Sequence, residues 1–243
     1  MKVGVVMVGK LFAIGVGPGD PKLLTIKATE AFQSIQVIFS PQANAGKRSL
    51  ALDIAKDYLP ESIRIETRYF PMITDYIQKV KQWEQVTIEI EEELNKGNNV
   101  GFLTLGDPNT YSTFSYILSR INSKFEIEII PGVTSFAQLA SIRSVPLVLD
   151  DESLCVISGT ASKLKIKMAL EMFDNIVIMK VKRHLKKILP LIQSLDLSST
   201  SYLISNAGMT DEKIYEDLNG LTGKEDLSYF STLIVQRRNE GKK

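Results

Sequence analysis

Cysteine and histidine are almost missing from this 243-residue sequence, with one of each. A single cysteine forms no disulfide within its own chain, and one histidine beside one cysteine makes no zinc-type ligand set. No metal site is therefore expected. Cys155 lies in the apolar run "SLCVIS" and reads as a buried structural thiol, which suits a cytoplasmic protein. An excess of one charge is also missing. The 29 basic and 28 acidic residues leave a formal net charge of +1, whereas a general nucleic-acid binder is strongly basic. No nucleic-acid partner is expected. Nor is there an apolar run long enough to span a bilayer. The N-terminal "MKVGVVMVGKLFAIGVG" is split by Lys10 and is followed by no A-x-A cleavage pattern. "KLFAIGVG" reads as a buried first strand, and "MKVGVVMV" before it as either an extension or a misplaced start. No membrane partner is expected.

What is present is an ordinary apolar share, 44%, arranged as alternating elements. Strands are expected at 11–17, 36–40, 62–70, 100–106 and 126–132. Helices are expected between and after them at 21–35, 48–57, 74–96, 111–122 and 134–143. The first helix places Leu24, Ala28, Ala31, Phe32 and Ile35 on one face; the third repeats Ile73, Ile77, Val80, Trp83, Val86, Ile90 and Leu94 at helical spacing, and "NKGNN" stops it. "RSVPLVLDDES" breaks the alternation. After it the pattern restarts with strands at 154–158, 175–180 and 200–205 and helices at 161–173 and 183–195. Two antiparallel closing strands follow, at 213–218 and 231–236. Short apolar strands alternating with helices imply a parallel sheet covered on both faces. The fold class is α/β with two α/β domains, at 10–145 and 146–243.

Three loops stand where strands end. "GVGPGD" (15–20) invites a dinucleotide reading, but the sixth position of a G-x-G-x-x-G fingerprint is Asp20 rather than glycine. Pro18 and Pro21 remove backbone donors that a phosphate cradle would use. Asp20 suits a helix cap, with Pro21 at the first helical position. "LTLGDPNTYSTFSYI" holds a second Gly-Asp-Pro, where Asp107 either accepts hydrogen bonds from a ligand or caps a helix. "IIPGVTSFAQLA" is the third, with Thr134 and Ser135 at a helix start. Ligands of open α/β sheets bind beyond the C-terminal ends of strands, so the three loops suggest one crevice.

In this order and spacing, "GVGPGDPKLLTIKA", "GFLTLGDPNTYSTF" and "IIPGVTSFAQLA" resemble the tetrapyrrole methylases, enzymes that transfer methyl groups from S-adenosylmethionine. The resemblance runs from about Lys10 to the end of the chain. "YSTFSYI" with "IPGVTSF" is most similar to the members that methylate C-20 of precorrin-2 or cobalt-factor II in cobalamin synthesis. The resemblance implies two α/β domains with a cofactor cleft between them, a homodimer, S-adenosyl-L-methionine as cofactor and a tetrapyrrole as substrate. It implies cofactor contacts at Leu105, Gly106, Asp107, Ser112, Thr113, Val133, Thr134, Ser135, Met179, Asn206 and Ala207. The first loop, Gly17, Pro18, Gly19 and Asp20, is similar to the one that faces the tetrapyrrole. Arg48 and Ser49 are further candidate substrate contacts, and Asp20 and Tyr111 are candidate catalytic bases.

The sequence departs from the family where many relatives have Gly-His; it reads "ISGTAS" (157–162), at the possible contact Gly159–Thr160. The basic run "KVKRHLKK" (180–187) either meets substrate carboxylates or is a solvated helix face, and His184 within it reads as a surface residue. Two other readings stand beside the main one. The first is a family member with another ring position, diphthine or ribosomal RNA as target; the second is a non-catalytic nucleotide-binding α/β protein.

Overall fold

A computed structural model describes residues 8–42, 49–70, 75–209 and 211–237. The chain divides into two compact units, 1–134 and 135–243.

The first unit is a five-stranded sheet of β1 (Leu11–Gly15), β2 (Val37–Gln42), β3 (Arg64–Tyr69), β4 (Val100–Thr104) and β5 (Ile127–Ile130). The order is β3-β2-β4-β1-β5 and every pairing is parallel. Alternation along β1 sends Leu11 and Ala13 to one face and Phe12 and Ile14 to the other. The first face is covered by α3 (Tyr76–Asn95) through Val86, Ile90 and Leu94, and by α4 (Phe114–Leu118) through Phe114 and Ile117. The second is covered by α1 (Ile26–Phe32) and α2 (Leu50–Ala55), with Phe32 and Ile54 fully or almost fully buried. Each such side chain contributes about 1.5–3 kcal/mol by leaving water.

Three helices differ from the sequence reading. The span 21–35 is not one helix. Asp20 caps a single 3-10 turn, Pro21–Leu23, Leu24 is extended, and Thr25 then caps α1 by accepting from Ala28 N. The helix expected at 111–122 shrinks to α4: Tyr111 takes a left-handed conformation, φ 50°, so the helix starts only after it, and Ser119 ends it. In α3 the apolar face holds from Val80 onward, but Ile77 in its first turn is exposed; Ile73 lies outside the described residues.

The second unit holds β6 (Leu154–Ser158), β7 (Asn175–Met179), β8 (Ser201–Ser205), β9 (Lys213–Tyr215) and β10 (Ser231–Gln236). The order is β6-β7-β10-β8-β9. Only β6 and β7 pair in parallel; β10 runs antiparallel to both β7 and β8. The last strand therefore does not close an edge but fills the centre, where its six residues are all buried. Helices α6 (Lys163–Met172) and α7 (Leu185–Ser194) cover one face. Helix α5 (Ser135–Arg143) covers the other, packing Leu139 with Phe136 and Ile142 against Val177, Tyr202, Ile204 and Ile234. That packing is why α5 belongs to the second unit, so the division falls upstream of the expected 145/146 boundary. Cys155 is only half-buried, and burial pushes its thiol pKa up.

Candidate functional site

The strand order of the first unit creates a switch point. The chain leaving β1 crosses towards β2 on one side, whereas the chain leaving β4 crosses towards β5 on the other. β1 and β4 are neighbours whose chains leave for helices on opposite faces of the sheet, the arrangement at which open α/β sheets bind ligands. Residues 16–20, 105–113 and 131–134 are the loops that follow β1, β4 and β5 there.

Backbone contacts join these loops. Gly17 and Gly106 form an isolated antiparallel bridge, with Gly106 N donating to Gly17 O at 2.8 Å. A Cβ at Gly15 would lie 2.6 Å from both Gly106 O and Gly132 N, and a Cβ at Gly132 would lie 2.2 Å from Gly106 O. Main chain packs directly on main chain here, so a side chain at either position has no room. Gly106 is different. Its φ is 71°, and a Cβ would meet nothing nearer than Val133 O at 4.0 Å. The α-carbon of Gly106 thus borders open space, between the second and third loops.

Asp107 ties the same loops through its side chain. Oδ1 accepts from Asn109 N at 2.9 Å and Thr110 Oγ1 at 3.3 Å, and Oδ2 accepts from Gly132 N at 3.1 Å. The carboxylate organises its own turn and reaches across to the third loop. Ser112 is buried, shares a 2.7 Å hydroxyl hydrogen bond with Thr104 and accepts from Phe114 N. It anchors the loop that presents Tyr111, a residue 43% exposed. A tyrosine held at positive φ carries backbone strain, of a kind that concentrates at functional sites. Thr113 directly precedes α4 and makes no side-chain cap to it. In the first loop, Asp20 Oδ1 accepts from Lys22 N at 2.9 Å, so the cap read from sequence is formed. Ser49 is buried and paired with the Ser40 hydroxyl at 2.7 Å. Arg48 lies outside the described residues.

The second unit has its own group of expected residues at strand ends. Ser135 begins α5, and its buried Oγ has no hydrogen-bond partner among the described residues. Met179, half-buried at the end of β7, accepts from Gly159 N through its carbonyl at 2.7 Å. Asn206 follows β8 with φ 54° and donates from Nδ2 to Asp211 at 2.7 Å; Ala207 beside it is buried.

Sequence reasoning missed two residues here. Lys187 of α7 donates to the carbonyls of Gly159 and Ala161, both at 2.7 Å. It thereby pins the loop after β6, which reads "GTA" at 159–161. Gln138 is about nine-tenths buried with its Oε1 unpartnered among the described residues, and it packs against Gly208. A lysine in a basic run and a glutamine in a helix carry no pattern that marks such roles. The basic run is accordingly not one solvated face: Lys187 is half-buried and engaged. His184 is half-buried too, and burial, with Lys187 and Arg183 nearby, lowers its pKa. Among the described residues, no three metal-ligating side chains cluster and no helix is long and apolar enough to cross a membrane.

Comparison with known proteins adds a second line. The sequence model for the family described as Tetrapyrrole (Corrin/Porphyrin) Methylases matches residues 10–220. A cobalt-precorrin-2 C(20)-methyltransferase of Salmonella typhimurium is 37% identical, over 96% of this chain and 99% of its own length. A probable cobalt-precorrin-2 C(20)-methyltransferase of Methanocaldococcus jannaschii is 36% identical, over 95% and 97%. A precorrin-2 C(20)-methyltransferase of a Sinorhizobium species is 30% identical, over 94% and 95%. Among solved structures, a cobalt precorrin-4 methyltransferase has the same fold, with a TM-score of 0.72 at 18% identity over 93% of this chain and 94% of that one.

Proposed function

This chain belongs to the tetrapyrrole (corrin/porphyrin) methylase family, and from that premise we propose that it transfers a methyl group from S-adenosylmethionine to C-20 of precorrin-2, taken in its cobalt-bearing form. The carrying observation is end-to-end identity of 36–37% with two relatives named for cobalt-precorrin-2, against 30% with one named for precorrin-2. It is proposed to act in the cytoplasm as a homodimer.

The open space beside Gly106 and the Val133 carbonyl fits a bound cofactor, because a glycine there puts no side chain into it. The cofactor contacts proposed in the first unit are Leu105, Gly106, Asp107, Val133 and Thr134; those proposed in the second unit, by the family resemblance, are Ser135, Met179, Asn206 and Ala207. The unpartnered Ser135 hydroxyl suits a ligand that brings its own polar atoms. Ser112 and Thr113 would act through the loop they carry. When bound, S-adenosylmethionine supplies an activated methyl on a positive sulfonium.

The protein's task is then to orient two reactants, an effect worth roughly 7–11 kcal/mol in favourable cases. Gly17, Pro18, Gly19 and Asp20 form a stiff wall for the macrocycle, and Ser49 holds β2 to α2 behind it. Asp20 and Tyr111 are the groups proposed to accept the proton that leaves the methylated carbon, an assistance of about 10²–10⁴-fold.

The test is turnover of purified protein with isotopically labelled S-adenosylmethionine and either precorrin-2 or its cobalt form, read by mass spectrometry. A single methyl gain, faster with the cobalt form and placed at C-20 by NMR, is expected. No gain with either substrate would sink the proposal, and a methyl elsewhere would reassign the ring position.

A further inference from the structure

Ser135 Oγ and Gln138 Oε1, both on α5, are buried and have no hydrogen-bond partner among the described residues. They lie three residues apart and so share a side of the helix. Gln138 is about nine-tenths buried. An unmet acceptor in such a place disfavours the fold, and protein interiors almost always supply it a partner. Gln138 is also held in position. A Cβ at Gly208 would lie 2.2 Å from its Nε2, so the amide rests directly on that glycine. Gly208 is itself fixed, with φ 75° and its N–H donating to Glu212 at 2.7 Å. The face of the sheet that α5 covers is apolar: Leu139 packs there with Val177, Ile204 and Ala207.

A buried acceptor and a buried hydroxyl beside an apolar face suit a flat apolar group with a donor and an acceptor adjacent on one edge. Adenine has that edge, its 6-amino group donating next to a ring nitrogen that accepts, and a glutamine amide is a regular partner for it. We propose that Gln138 selects the adenine of S-adenosylmethionine, with Oε1 accepting from the 6-amino group and the Ser135 hydroxyl donating to the neighbouring ring nitrogen. The inference rests on the proposed cofactor and adds the residue that reads its base. The last torsion of a glutamine side chain is soft, so the amide adjusts to an incoming donor at little cost. The methionine end of the cofactor fits this pair poorly, because it carries full charges and neither side chain offers a counter-charge. An enclosed water bridging the two atoms is the competing occupant, and it would give no preference for one base over another.

The test is calorimetric binding to the purified full chain of S-adenosylhomocysteine and of its analogue in which hydrogen replaces the 6-amino group. The parent should bind the analogue about tenfold more weakly, since one hydrogen bond is lost and the buried acceptor stays unmet. Gln138→Leu should weaken S-adenosylhomocysteine about tenfold and leave the analogue unchanged, so that the preference disappears. Its ligand-free melting temperature should not fall, because the substitution removes the unmet acceptor. Ser135→Ala should weaken both ligands by the same factor and keep the preference. Equal binding of the two ligands by the parent, or a preference that survives Gln138→Leu, would overturn the proposal and leave the proposed methyl transfer standing. So would a Gln138→Leu protein that melts lower and loses both ligands alike, the mark of a side chain that only props the Gly208 loop. A parent that binds neither ligand would overturn the cofactor reading as well.

Discussion

Asp107 and Gly132 are joined by a hydrogen bond of 3.1 Å from the glycine amide to the aspartate carboxylate, across two loops that follow different strands. The other carboxylate oxygen holds the turn at Asn109 and Thr110. One side chain therefore sets the spacing of the second and third loops at the switch point.

Replacing Asp107 by Ala should remove that spacing. The Gly132 amide would lose its acceptor, at a cost of about 1.5–3 kcal/mol for a hydrogen bond to a charged group. Folding should survive in a unit with two apolar clusters. Affinity for S-adenosylhomocysteine should fall about tenfold or more, measured by calorimetry; an unchanged affinity would show that the loop is held by its glycines alone.

Alanine at Gly132 and at Gly106 should separate two effects. At Gly132 the new Cβ would meet Gly106 O, so overpacking should cost about 1–3 kcal/mol of stability, visible in thermal denaturation. At Gly106 there is room, and the left-handed backbone alone costs roughly 1–2 kcal/mol. The Gly106→Ala protein should fold yet bind cofactor poorly, since its methyl group enters the open space. Equal binding by the two variants at matched stability would contradict the placement of the cofactor.

Acid should weaken the first unit through Glu93. Lys96, with Asn98 and Arg64 also in contact, holds its carboxyl down to about 2, against the opposing effect of burial. A depressed folded pKa stabilises above the unfolded value and ceases to do so as pH falls from about 4.5 towards 2. Glu93→Gln should lower stability at neutral pH by something on the order of 2 kcal/mol and flatten the pH dependence in that window. Chemical denaturation at several pH values measures both; an unaltered slope would mean other carboxylates dominate.

Lys187→Met should free the loop after β6. Two charge-assisted hydrogen bonds to Gly159 and Ala161 would go, while the aliphatic stem keeps its packing. A loss of about 2 kcal/mol is expected, with faster amide exchange localised to residues 159–161. If the exchange rates there do not change, Gly159 N bonding to Met179 O suffices to order the loop.

Much of this was legible before any coordinates. The five parallel strands of the first unit announce themselves as short apolar runs between helices, and Asp20 followed by Pro21 states its own cap. The partner of an apolar run is less legible. Residues 231–236 read as a closing strand because they come last, yet β10 lies between β7 and β8. The α5 residues likewise look like the end of the first half, and only their contacts assign them to the second sheet. Ser49 reads as a candidate substrate contact, and nothing in its sequence shows that its hydroxyl is buried and hydrogen-bonded to that of Ser40.

Sequence by itself determined which segments become strands, where most helices lie, the cap at Asp20, and, through three ordered glycine loops, the family. These are local matters of periodicity, φ preference and side-chain hydrogen bonding. Tertiary structure alone decided that β1 and β4 are neighbours, that Gly15, Gly106 and Gly132 pack main chain on main chain, and that Asp107 spans two loops rather than only capping its own. Such relations depend on strand order and on distances of a few tenths of an ångström between segments far apart in the chain, and no spacing along one segment encodes them.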